Sequence, residues 1–219
     1  VSLTASEHGI LSFISDRLRH ENNENVLSAV GTMHGRAVGR LLDSDLLTIL
    51  DGLSKSVQGA GRNATFTTIA GAVSYLRTDN NSTFGPAPSK PNAVLHPEQI
   101  RRLTQELAGI QAGGTGMPAQ TVPEGPSADV ISSYWRGNDP VFGVPIYEDG
   151  NISRDGSGDS KGGVFAREAL ALAMQSEISA EEERDASLRG TEIVTVGTWG
   201  ESEIVDTWGV EILSATDAI

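Results

Sequence analysis

Ser160 lies in Gly158-Asp159-Ser160-Lys161-Gly162-Gly163, one residue away from the Gly-Asp-Ser-Gly-Gly loop that presents a serine nucleophile. Such a loop needs a glycine after the serine so that backbone N–H groups can hold an oxyanion, and Lys161 stands at that position. The run therefore reads as a solvated loop. His96, the other residue a hydrolase would use, directly precedes Pro97 and reads as a residue at the start of a helix. His8, His20, His34 and His96 are scattered, with no His-Glu-x-x-His spacing. Asn151 to Gly156 places oxygen side chains at alternate positions before a glycine. The carboxylate that a calcium loop needs six residues later is replaced by Gly162. There is no cysteine, no phosphate-binding loop and no dinucleotide fingerprint. No catalytic residue, cofactor-binding residue or metal ligand is assigned, and the expectation is a chain that is not an enzyme.

The elements around these residues mix helix and strand. Thr4 to Glu7 fits a capping box, and Ile10, Phe13, Ile14 and Leu18 follow helical spacing, so a first helix is expected there. The polar run from His20 to Asn25 ends it. Helical periodicity resumes over about 25–56, with a bend expected near Asp43-Ser44-Asp45. This helix carries Gly31, Gly35 and Gly39 at a spacing of four. Three interior glycines forfeit roughly 2–3 kcal/mol of helix propensity relative to alanine. Close approach of another backbone is the expected reason. Further helices are predicted at about 67–78, from Pro97 onward, and at 127–135, where Trp135 sits. Strands are predicted at 93–95 and at 141–149, the latter at a sheet edge because of Pro145. Residues 109–126 and 150–163 read as long loops. Residues 164–175 lean to strand, 179–185 form an acidic exposed run, and 188–213 are β-rich. Thr-Trp-Gly occurs twice, at 198–200 and 207–209. It is read as two ends of one antiparallel hairpin, with strands 191–199 and 203–213 and a turn at Gly200-Glu201-Ser202, so that Trp199 and Trp208 are packing residues.

The chain has 219 residues, enough for one large domain or two small ones, and a formal net charge of −13. That charge argues against gripping nucleic acid through phosphate contacts, though not against enclosing it. No apolar run approaches the ~20 residues of a membrane span. The chain begins at Val1 rather than Met, and a preceding segment is expected.

Several stretches in order resemble the major capsid proteins of tailed bacteriophages: "LLDSDLLTIL" inside a long helix, "NAVLHPEQIRRL", "GVPIYEDGNI", "GGVFAREALALAMQ" and "RDASLRGTEIVTVGTWGESEIVDTWGVEIL". The resemblance covers about 25–213. It implies an α+β chain of the HK-ninety-seven-type capsid fold, with a long spine helix, a peripheral-domain sheet and an axial domain. The implied peripheral domain is 1–92 with 164–219, and the implied axial domain is 93–163. It also implies an N-terminal arm and an extended hairpin loop, of which residues 1–4 would be the tail. The implied function is a structural subunit that self-assembles through pentamers and hexamers into an icosahedral shell around a phage double-stranded DNA genome. The shell would form in the host cytoplasm and end in the virion. Portal, scaffolding and decoration proteins are implied partners, with no cofactor and no membrane. Gly31, Gly35, Gly39, Trp135, Trp199 and Trp208 are the expected packing or assembly residues. Three alternatives compete: an encapsulin-like cellular compartment shell, a hydrolase using Ser160 or His96, and a carbohydrate-binding β-module stacking sugars on Trp199 and Trp208.

Overall fold

A computed structural model describes residues 2–21, 26–78, 83–107 and 142–216. The chain forms two compact units. The first comprises Val1–Leu46 and Leu172–Ser202, and the second comprises Leu47–Ala171 and Glu203–Ile219. The chain thus divides at 46/47, 171/172 and 202/203.

The first unit is built on a three-stranded sheet of order β1-β7-β6. Its strands are β1 (Ser6–Ser15), β6 (Leu170–Asp185) and β7 (Gly190–Glu203). The first helix expected from Ile10, Phe13, Ile14 and Leu18 is therefore wrong over most of its length. Residues 6–15 pair antiparallel with β7, from Ser6 opposite Trp199 to Ser15 opposite Gly190. Strand alternation puts Ile10, Ser12 and Ile14 on one face and Leu11 and Phe13 on the other. Only the short α1 (Asp16–Glu21) is helical there, with Asp16 held by Arg184 at 2.8 Å. That guanidinium hydrogen bond lowers the Asp16 carboxyl below its ordinary range.

The long helix is α2 (Val26–Thr48), followed by a 3-10 turn at Ile49–Gly52. It ends earlier than the expected 56 and runs unbroken through Asp43-Ser44-Asp45. Its buried side chains are His34 and Val38, one helical turn apart. His34 joins helix to sheet. One ring nitrogen lies 2.7 Å from Ser12 Oγ on β1, and the other lies 3.2 Å from Thr195 Oγ1 on β7.

The second unit has a five-stranded mixed sheet of order β2-β8-β5-β3-β4, with two α-helices among the described residues. Its strands are β2 (Ser56–Gln58), β3 (Asn92–Leu95), β4 (Ile146–Glu148), β5 (Asp159–Phe165) and β8 (Gly209–Ala215). The helices are α3 (Phe66–Arg77) and α4 (Pro97–Leu107). Thr65 caps α3 through a reciprocal pair with Thr68, and Pro97 opens α4 at the first helical position. β4 is an edge strand directly after Pro145, as expected, although it is only three residues long. The helices bury Ile69, Leu76, Ile100 and Leu103 against Leu95, Ile146, Val164 and Ile212 of the sheet. The loop expected over 150–163 is corrected at its end, because 159–163 are part of β5. The expected helix at 127–135 and the loop at 109–126 lie outside the described residues.

Gln99, fully buried, ties α4 to this sheet. Its side-chain oxygen accepts from His96 N–H at 3.0 Å. Its amide nitrogen donates toward the carbonyls of Ser160 and Ile212, each at 3.2 Å, and toward Ser214 Oγ at 2.7 Å. Truncation would strand these buried groups, each at a cost of about 1–3 kcal/mol. Gln99→Ala is therefore expected to lower unfolding stability by about 2–4 kcal/mol, read as a drop in urea midpoint at unchanged slope.

Candidate assembly surfaces

The residues that suggested catalysis are not brought together for it. Ser160 is on β5, paired with Ser214 of β8, and fully buried. Its Oγ has no hydrogen-bond partner among the described residues, so no imidazole activates it. His96 Nδ1 accepts the backbone N–H of Glu98 at 3.1 Å, a helix-start contact. Burial lowers the His96 pKa first, and Arg154 adds to that, against opposing pulls from Glu98 and Glu148. The solvated-loop expectation for 158–163 is corrected, because glycine and serine serve here as small residues in a crowded strand. A Cβ on Gly162 would lie 2.7 Å from the Val94 carbonyl oxygen and 2.8 Å from both Gln99 Oε1 and Leu95 Cδ2.

Lys161 points to the other side of β5. It pairs with Asp51 and lies 3.9 Å from Glu211, whose second carboxylate oxygen accepts from Ser56 Oγ at 3.0 Å. The hydrogen bond to Asp51 raises the Lys161 pKa, which keeps the amine charged. That suits an ion-pair clasp rather than a nucleophile. In the loop resembling a calcium site, Asp155 Oδ1 accepts the N–H groups of Ser157 and Asp159, so that oxygen serves the turn itself.

Trp199 and Trp208 do not share a hairpin. β7 runs straight through Gly200-Glu201-Ser202, while β8 starts at Gly209 in the other sheet. Gly200 cannot be a free turn residue, since a Cβ there would sit 2.5 Å from the Thr4 carbonyl oxygen. Trp199 is fully buried in the first unit. Its Nε1 donates to Asp45 Oδ2 of α2 at 3.2 Å, and its ring stacks on His8 with centroids 4.4 Å apart. Trp199 is thus tied to the long helix by its indole N–H. Trp208 is half-buried in the second unit. It donates to the Gly85 carbonyl at 3.0 Å and meets Phe84 edge-on at 6.0 Å, fastening the 83–91 loop. Trp135 lies outside the described residues. Trp199 is buried with His8 stacked on it and offers no bare platform for a sugar.

Gly31, Gly35 and Gly39 lie on α2 with open space beside them. A Cβ at any of them meets nothing within 4 Å. Sequence gave no sign of the His34 bridge, whose partners Ser12 and Thr195 are separated by most of the chain. It also gave no sign of the apolar exposure on β6, where Leu172, Met174 and Ile178 stand 41, 46 and 38% exposed.

Two outcomes follow. Alanine at Gly31, Gly35 or Gly39 is expected to stabilise the folded chain by about 0.5–1 kcal/mol per site, since each position is helical and open. Denaturant melts of the three single variants measure this. For His96, the unfolded state takes up a proton near the ordinary value of 6.5, whereas the folded state resists it to lower pH. Its stabilising contribution is therefore present above 6.5 and lost as pH falls through the lowered folded value. His96→Asn, which keeps an acceptor for Glu98 N–H, is expected to flatten that part of the stability–pH curve relative to wild type.

The sequence matches no protein-family model and no curated protein. Solved structures do match. A structure from Mycobacterium phage Che8 superposes with a TM-score of 0.72 at 18% identity, over 94% of this chain and 70% of that one. The capsid of Ralstonia phage GP4 gives 0.69 at 12% identity, over 99% and 74%. The holo-SrpI encapsulin complex from Synechococcus elongatus gives 0.60 at 12% identity, over 96% and 73%. At these identities the likeness is one of architecture: the chain has the α+β HK-ninety-seven-type capsid fold.

Proposed function

We propose that this chain is a major capsid protein, the repeated subunit of an icosahedral shell that encloses a phage double-stranded DNA genome in the virion. The observation that carries the proposal is the superposition of nearly the whole chain on capsid subunits, rather than of one shared motif. In this reading the first unit is the peripheral domain with α2 as its spine, and the second is the axial domain. Pentamers and hexamers are the assembly units, and scaffolding, portal and decoration proteins are the partners such a shell takes. The net charge of −13 supports enclosure of DNA without adhesion, because phosphate is repelled from an acidic wall. The buried, unactivated Ser160 and the helix-bound His96 support a structural role over hydrolysis.

A cellular compartment shell is the second reading. It is favoured by one observation, the encapsulin among the matching structures, whose TM-score of 0.60 lies below the 0.72 and 0.69 of the Che8 and GP4 structures. Electron microscopy and light scattering of the full-length protein test both. Thin-walled closed particles are expected, and their native counterparts should contain DNA. Protein cargo without a genome would favour the compartment. A chain that stays monomeric at every salt and pH would overturn both.

A further inference from the structure

We propose that residues 83–91 form a clasp on two short 3-10 turns, Arg167–Ala169 and Asp206–Trp208, and that it releases or holds both turns together. Clasp and turns all belong to the second unit. β5 reaches β6 through the first turn, and β7 reaches β8 through the second. Whatever holds the two turns therefore fixes the roots of both long strands.

The turns continue the β5–β8 ladder. Phe165 pairs with Gly209, and one residue further on Ala166 N–H donates to the Trp208 carbonyl at 2.9 Å. The buried Ala169 then offers its carbonyl to two donors, Ile204 N–H at 2.7 Å and Val205 N–H at 3.3 Å. The clasp is tied down at alternate residues. In its middle, Ala87 donates its N–H to the Leu76 carbonyl of α3 at 2.9 Å and packs against the core. On one side, the Gly85 carbonyl accepts from Trp208 Nε1 at 3.0 Å, which holds the second turn. On the other, Ser89 Oγ donates to Glu168 Oε2 at 2.6 Å and accepts from Arg167 N–H at 3.3 Å, which holds the first. Pro86, Pro88 and Pro91 each fix φ, so the segment moves as a piece instead of fraying residue by residue.

Two observations separate a releasable clasp from a permanent fastening. The ties lie at the surface, where Phe84, Arg167 and Glu168 are exposed, so local opening can precede any loss of the core. The held turn also carries a cost of its own. Thr207 Oγ1 is buried there without a hydrogen-bond partner among the described residues. An unpaired buried hydroxyl disfavours the state that buries it, and opening returns it to water. The ties at Gly85 and Ser89 thus hold the turns against a group that favours release.

Amide hydrogen exchange of the full chain, resolved to single residues by mass spectrometry, tests the clasp. Ala169 N–H bonds within the first turn, to the Ala166 carbonyl at 3.0 Å, and the backbone N–H of Trp208 bonds within the second, to the Val205 carbonyl at 3.1 Å. These two amides report the turns separately. Ser89→Ala cuts the ties to the first turn only. Trp208→Phe removes the donor to Gly85 and keeps a ring beside Phe84. Ser89→Ala is expected to speed exchange at Trp208, and Trp208→Phe at Ala169, each by about five- to tenfold and each in the turn it does not touch. The ladder between β3 and β5 is expected to keep its wild-type rate. Thr207→Val, which removes the unpaired hydroxyl at nearly constant shape, is expected to slow exchange at both reporters. Effects confined to the turn that lost its own tie would mean two independent fasteners and overturn the clasp. So would unchanged exchange in Ser89→Ala, or an equal rise throughout the β3–β5 ladder. Faster exchange in Thr207→Val would overturn the part given to the buried hydroxyl. The shell reading stands or falls separately, on particle formation.

Discussion

At Gly162 three atoms from three residues crowd the space where a side chain would begin. That crowding sets the second unit. It lets α4 lie flat enough on β5 and β8 for the Gln99 amide to reach carbonyls on both strands. A larger residue there would lift the helix, separate the amide from its acceptors and open the layer formed by Ile100, Leu103 and Ile212. The same strand turns Lys161 outward into its clasp with Asp51 and Glu211. The glycine and serine in this run are present for their size. Their likeness to a nucleophile loop is incidental to the packing that selects them.

The two units differ in how they are held. The second has a closed apolar core between sheet and helices. The first relies on a few polar and aromatic fasteners: the His34 bridge, the Trp199 bond to Asp45, and the Asp16–Arg184 pair. The second unit has a closed core of its own, whereas the first is thinly cored and leaves Leu172, Met174 and Ile178 of β6 exposed.

Much of the second unit was legible in the sequence, because its signals are local. Pro97 at the start of its helix and the short apolar run at 93–95 each mark their element within a few residues. The first unit was not legible in this way. Ile10, Phe13 and Ile14 satisfy helical spacing, while Ile10, Ser12 and Ile14 alternate as a strand does. The choice is made by β7, which lies far along the chain. β5 was hidden because Asp, Ser, Lys and Gly have turn-like composition, and only its neighbours in space explain the glycines. Two β-rich stretches separated by Gly-Glu-Ser look like a hairpin, although the strand in fact continues and its successor changes sheet. The candidate surfaces were legible only as residue types. Gly31, Gly35 and Gly39 stood out by type and spacing, and a Cβ at each would meet nothing within 4 Å.

The His34 bridge also fixes an order of events in the making of the protein. Two of its three members come from the first 34 residues, and the third is Thr195. A nascent chain can form α2 early, but the sheet beneath it lacks its central strand until β7 has been synthesised. Contacts of such sequence separation close late and slowly, because the loop between them must first be ordered. The second unit waits likewise for β8, which lies between β2 and β5. A fragment that stops before β7 therefore has neither sheet complete.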